Sequence, residues 1–141
     1  MVLASTGAPF SDAALRAAAD AARATPDGGL AVVSIARLHG YALGMPNPGL
    51  LPTPREKAAQ ADVVDAAIRR LRGWGLAADG QVIVTRNAAK AIAGVARRRA
   101  AGHVVLQAGA GSRLRRLVEG DAGKGLTRRL RRHCPVTIVA G

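Results

Sequence analysis

Gly109, Gly111 and Ser112 follow the short apolar run Val104, Val105, Leu106 after Gln107 and Ala108. Glycines placed there let backbone amides approach an anion, often at positive φ, and a serine adds a hydroxyl donor. Arg113, Arg115 and Arg116 follow at once and carry charge that suits phosphate. Downstream come a helix-like stretch and a second apolar run, Val136, Thr137, Ile138 and Val139, opened by Cys134-Pro135. Strand, glycine turn, helix, strand is the layout of an α/β half-domain that handles nucleotides or phosphates.

Other chemistries find less support. Gly123-Lys124 ends like a phosphate-binding P-loop, but Gly125 replaces the hydroxyl residue and Val118 stands at the first glycine. Gly109-Ala110-Gly111 lacks the third glycine of a dinucleotide fingerprint, since Leu114 occupies that place. Thr6 and Ser112 have no general base near them in sequence, and carboxylates are few, so no enzyme is expected. His39, His103 and His133 lack metal-ligand spacing, and no metal site is expected. The single cysteine, Cys134, excludes an intramolecular disulfide and reads as a packed thiol before a buried strand.

The elements that would position the glycine turn can be read along the chain. Residues 1–5 form a short buried strand. Ser11 caps a helix that runs to about residue 24, with Leu15, Ala18, Ala19 and Ala22 on its inner face. Residues 26–29 turn, and the apolar run 30–36 reads as a strand buried on both faces. Residues 38–53 form a long, Gly- and Pro-rich loop. Thr53-Pro54-Arg55-Glu56 opens a helix to about residue 74, with Val64, Ile68 and Leu71 inward. Gly75 and then Asp79-Gly80 end it and turn the chain into a third strand over 81–86. Asn87 caps the next helix, with Ile92, Val95 and Ala96 inside, Arg97, Arg98 and Arg99 at its end, and Gly102 as its stop. Five strands alternating with helices, joined by right-handed crossovers, predict one domain over 1–141: α/β, a flavodoxin-like doubly wound five-stranded parallel sheet, order 3-2-1-4-5, with helices on both faces. The switch point lies between strands one and four. There Thr6 and Gly7 meet Gln107 and the glycine turn, about a hundred residues on.

Both ends of the chain resemble the universal stress protein family. That family's loop reads Gly-x2-Gly-x9-Gly-Ser/Thr, before a helix and a strand opening Cys-Pro-Val. Leu114-Arg115-Arg116-Leu117-Val118-Glu119-Gly120 is similar to its Leu-Lys-Arg-Leu-Leu-Leu-Gly run, and Cys134-Pro135-Val136 matches. The N-terminal Leu3-Ala4-Ser5-Thr6-Gly7-Ala8 resembles the family's first strand and Asp-Gly-Ser turn, with Thr6 in place of Asp and Ala8 in place of Ser. The resemblance sets Gln107 and Ala110 on the loop's first two glycines, keeps Gly120, and puts Asp121 on the Ser/Thr. It implies a binding and regulatory protein with a degenerate ATP site formed by Thr6, Gly7, Gln107, Gly109, Ala110, Gly111, Ser112, Gly120 and Asp121. Alanine at a left-handed position costs roughly 1–2 kcal/mol, and a carboxylate about 4 Å from a phosphate repels by roughly 1–4 kcal/mol. Together such changes weaken a micromolar site by about two decades or more. The resemblance also implies a homodimer paired through Val136, Thr137, Ile138 and Val139.

At 141 residues the chain suits one domain with a real core, built from Ala, Val and Leu with 2% aromatics. Phe10, Tyr41 and Trp74 are far apart, which argues against a stacking platform for single-stranded nucleic acid. The formal net charge is +12, and residues 86–141 carry thirteen basic residues against Glu119 and Asp121. That asymmetry leaves two further readings open: a polyanion or nucleic-acid binder, and a protein-interaction scaffold with an unidentified protein partner. No apolar run reaches transmembrane length and the N-terminus is not signal-like, so a cytoplasmic location is expected.

Overall fold

The computed structural model describes residues 1–25, 29–37, 52–108 and 124–140. Along the chain these give β1 (Val2–Ser5), α1 (Asp12–Arg23), β2 (Leu30–Arg37), α2 (Pro54–Gly73), β3 (Ala78–Thr85), α3 (Ala88–Arg98), β4 (Val104–Ala108), helical residues 124–130 (α4) and β5 (Val136–Ala140). The strands form one parallel sheet in the order β3-β2-β1-β4-β5, as the alternation of strands and helices predicts.

Helix starts follow local chemistry. The Ser11 hydroxyl accepts from the Ala14 amide at 3.2 Å and begins α1. Thr53 and Glu56 form a reciprocal capping box, with Pro54 in the first turn of α2. Asn87 accepts from the Lys90 amide at 2.9 Å and begins α3.

The central strands β1, β2 and β4 are buried on both faces. Val2, Ala4, Val33, Ile35, Val104 and Leu106 pack against α3 and α4, where Ile92, Val95, Leu126 and Leu130 meet them. Leu3, Val32 and Val105 pack against α1 and α2, where Leu15, Ala18, Val64 and Leu71 meet them. Alanines dominate the inner faces of α1 and α3, which lets these helices lie close to the strands. Cys134 belongs to the first of these cores, and burial pushes its thiol pKa up, so it is protonated at neutral pH.

Two local expectations differ from the structure. Asp79-Gly80 is not a turn: β3 begins at Ala78, and both residues pair within the sheet, opposite Ala31 and Val32. The glycine serves close approach instead. A Cβ on Gly80 would lie 2.6 Å from the Val32 carbonyl oxygen and 2.7 Å from Val64 Cγ1. The second difference is at the end of α3. Gly102 does not stop that helix; Ala100 does, at φ 45°. The Ala101 amide donates to Ala96 O at 2.8 Å and the Ala100 amide to Arg97 O at 3.1 Å, the two bonds of a Schellman cap. Alanine in the left-handed region is strained, and glycine would relieve it. Ala100→Gly is expected to stabilise the fold by about 0.5–1 kcal/mol, after the greater freedom of glycine in the unfolded chain is deducted. Thermal melting checks this through a rise of about 2 °C; a lower midpoint would contradict the strained cap.

Candidate functional site

β1 is the central strand, and the chain crosses from one half of the sheet to the other around it. In register, Ser5 lies opposite both Ser34 of β2 and Gln107 of β4. A polar row, Ser34–Ser5–Gln107, therefore spans three strands near their carboxyl ends. Its residues are fully or almost fully buried, with Gln107 at 2% exposure. Polar side chains are placed there because the backbone that leaves β1 must be tied down.

Each member of the row holds the β1–α1 loop, directly or through one neighbour. Gln107 Nε2 donates to the Pro9 carbonyl at 2.5 Å, and its Oε1 accepts from the Ser11 amide at 2.6 Å. Ser5 Oγ donates to the Ala8 carbonyl at 2.6 Å. Ser34 Oγ donates to Gln60 Oε1 at 2.7 Å, and Gln60 Nε2 donates to the Gly7 carbonyl at 3.0 Å. Successive carbonyls at 7, 8 and 9 are thus all turned inward and bonded. Among the described residues, the amides of Gly7, Ala8 and Phe10 have no protein partner. Gly7 sits at φ 101°, and a Cβ there would meet the Ile35 carbonyl oxygen at 3.3 Å, so the position requires glycine.

The loop leads straight into the amino end of α1, whose dipole favours negative charge. Asp12 stands at that end. Its carboxylate is held by Arg70 Nη1 at 2.6 Å, and the Arg70 hydrogen bond and charge hold its pKa below the usual carboxylate value. Arg70 also lies over the Trp74 ring at 5.5 Å, so this one guanidinium ties α1 to α2.

Of the residues expected to form the site, Thr6, Gly7 and Gln107 are brought together at the switch point. Thr6 is 8% exposed. Gly109, Ala110, Gly111, Ser112, Gly120 and Asp121 lie outside the described residues, as do Arg113, Arg115, Arg116 and nearly all of the loop 38–53. Gln107 takes a different part from a ligand contact: both ends of its amide are used inside the protein. Sequence reading missed Ser5, Ser34 and Gln60. The available signals were a serine inside the apolar run 30–36, a serine closing β1, and a glutamine about two turns into a capped helix.

A separate cavity of about 580 Å³ opens at the other end of the sheet, where β2 and β3 begin, beside Arg72, Asp79 and Arg99. Its charged groups are engaged: Arg99 bonds both Asp79 oxygens, at 2.8 and 3.0 Å, and Arg72 Nε donates to Ala78 O at 3.0 Å. It offers less to a ligand than the amides at the switch point. Among the described residues, no group of three or more His, Cys, Asp or Glu could hold a metal ion.

No protein-family sequence profile matches the chain, and no curated protein sequence does either. Solved structures do match. A universal stress protein family member from Burkholderia pseudomallei superposes with a TM-score of 0.65 at 22% identity, over 98% of this chain and 93% of that one. The universal stress protein from Archaeoglobus fulgidus in complex with dAMP gives 0.61 at 16% identity, over 97% and 94%. A universal stress protein in complex with cAMP gives 0.59 at 20% identity, over 98% and 95%. This chain has the universal stress protein fold.

Proposed function

We propose that this chain is a universal stress protein-like binding and regulatory protein that holds an adenine nucleotide such as ATP, with reduced affinity, at the switch point between β1 and β4. The observation that carries the reading is the β1–α1 loop. Its carbonyls are bonded inward by Ser5, Gln107 and Gln60, and its Gly7, Ala8 and Phe10 amides have no partner among the described residues. Three amides beside a helix amino end suit the oxygens of a phosphate. Two structures of the same fold are complexes with dAMP and cAMP. Thr6 in place of aspartate removes a carboxylate from the loop, and Gln107 spends its amide on the protein, so the side chains add little to what the backbone offers. The role proposed is binding without catalysis, in the cytoplasm. Asp12, the carboxylate nearest the loop in sequence, is already engaged by Arg70.

Isothermal titration of nucleotide-stripped protein with ATP–Mg²⁺ at low and moderate salt tests this reading. The expected dissociation constant is about 0.1–1 mM, some two decades above a micromolar site. No heat at millimolar nucleotide would overturn nucleotide binding. Micromolar binding that persists at the higher salt would overturn the degeneracy.

A homodimer through β5 is part of the proposal. β5 is an edge strand, and Ile138 on it is 52% exposed. An apolar edge of this kind is normally covered or paired. Ile138→Lys is expected to convert the dimer to a monomer, read by size-exclusion chromatography with light scattering. An unchanged mass would place the dimer contact elsewhere, and a monomeric parent would remove it.

A further inference from the structure

The charge asymmetry of the sequence becomes a sidedness in the fold. α3 and α4 lie together on one face of the sheet: Arg97 Nη2 donates to Arg129 O at 3.1 Å, and both helices share one core. From the start of α3 to Ala101, and again over 124–134, the chain carries nine cations and no carboxylate. Two are lysines, Lys90 and Lys124; the arginines are Arg97, Arg98, Arg99, Arg128, Arg129, Arg131 and Arg132. All nine are exposed, and among the described residues only Arg99 of the nine forms an ion pair, with Asp79 of β3. The opposite layer is close to balanced. α1 has two cations and two carboxylates, and α2 has five cations against three carboxylates.

Helix stabilisation accounts for part of this distribution only. Arg97 and Arg98 sit in the last turn of α3, where the dipole favours cations. Lys90 sits in the first turn, where the dipole disfavours one, and α3 has no acid there, whereas α1 has Asp12 and α2 has Glu56. Residues 88–101 and 124–134 contain no carboxylate, so no i,i+4 ion pair forms within either segment. Asp79 offsets part of the mutual repulsion through Arg99, and an external anion or salt would relieve more of it.

We infer that the α3–α4 layer is a docking surface for the phosphate backbone of duplex nucleic acid. Arginine predominates, and its planar fork suits phosphate oxygens. Residues 87–101 and 124–134 contain no Phe, Tyr or Trp on which an unpaired base could stack, and His133 is their single imidazole, which favours the duplex over a single strand. From Lys90 to Arg99 the helix spans about 13 Å, and a duplex carries one negative charge per about 1.7 Å, or about eight phosphates over that length. The contacts inferred are to phosphate oxygens, so binding is expected to be indifferent to sequence. The inference is independent of the nucleotide site, which lies toward the α1–α2 side.

The test is fluorescence anisotropy of a labelled duplex of about 20 base pairs, titrated with the protein at about 50 and about 200 mM salt. With about four phosphates neutralised, affinity is expected to fall about 100-fold between the two. Replacing Arg98, Arg128, Arg131 and Arg132 together by Gln is expected to weaken binding at least about 30-fold at the lower salt and to flatten the salt slope. The same four changed to Lys retain most of the slope. Arg16, Arg55 and Arg69 changed to Gln, on the opposite layer, stay within about threefold of the parent. Thermal melting of each variant separates lost binding from lost fold. Absence of binding at the lower salt, equal losses from both layers, or loss in the Lys variant matching that in the Gln variant would overturn the inference. A polyglutamate of matched charge binding as tightly as the duplex would overturn the choice of partner.

Discussion

Gly80→Ala is expected to destabilise the protein by about 3 kcal/mol, although it adds one methyl group. The added Cβ would stand 2.6 Å from the Val32 carbonyl oxygen, 2.7 Å from Val64 Cγ1 and 3.1 Å from Ile68 Cδ1. Val32 is fully buried in β2 and Val64 is nearly so in α2. The side-chain contact could be eased by a rotamer change, but the carbonyl belongs to the β2–β3 ladder, so relief requires the strands to part. Urea unfolding of Gly80→Ala, Val64→Ala and the double variant separates the two contacts. The double variant should be less destabilised than the sum of the singles, because removing Val64 Cγ1 relieves one clash. It should still be less stable than Val64→Ala alone, because the carbonyl remains. Equal stability of Gly80→Ala and the parent would contradict the close approach of α2 to β3.

Gln107→Ala is expected to cost about 2–4 kcal/mol, since it leaves a buried acceptor, Pro9 O, and a donor, the Ser11 amide, without their partners and opens a void. The isostere is more informative. Gln107→Glu keeps the oxygen that accepts from Ser11 but sets a second oxygen against the Pro9 carbonyl, 2.5 Å from where the amide nitrogen donates. Only a protonated carboxyl can donate there. In that variant, burial and the facing carbonyl raise the Glu pKa in the folded state above its unfolded value. Its contribution is then fully present below the unfolded value, about 4.3, and is lost as pH rises through the folded one. Gln107→Glu is therefore expected to approach parental stability at acidic pH and to lose about 2 kcal/mol by neutrality. Melting across pH reads this directly. A variant equally stable at both ends of the range would mean that Gln107 does not clamp the loop.

Much of the fold was legible because its signals are local or periodic. Ser11, Thr53 with Glu56, and Asn87 mark helix starts by hydrogen-bonding chemistry within four residues, and each caps the helix expected. The short apolar runs mark strands, and the crossover rule then leaves one sensible order for five of them. The misread places depend on distant partners. Asp79-Gly80 looks like a turn locally, and only the approach of Val64 and Val32 from elsewhere makes the glycine a packing residue. Ala100 carries no local sign of a left-handed conformation; the termination comes from how the chain must drop from α3 into β4.

The site divides in the same way. Its position follows from strand order, which is why Thr6, Gly7 and Gln107 could be named together before any coordinates. The part played by Gln107 could not. A glutamine aligned on a glycine of a phosphate loop reads as an intrusion into the ligand space, whereas its amide in fact closes on Pro9 and Ser11, about a hundred residues away. Gln60 is hidden for a similar reason, since its partners Ser34 and Gly7 come from two other elements.

The most direct measurement of the central proposal is a two-dimensional ¹⁵N–¹H correlation spectrum of the labelled protein, titrated with ATP–Mg²⁺ into the millimolar range. The amides of Gly7, Ala8 and Phe10 are expected to move first and furthest, saturating together, while those of Leu30, Ala78 and Asp79 at the opposite end of the sheet stay still. Shifts concentrated at that opposite end, or on α3 and α4 alone, would contradict a nucleotide site at the β1–β4 switch point.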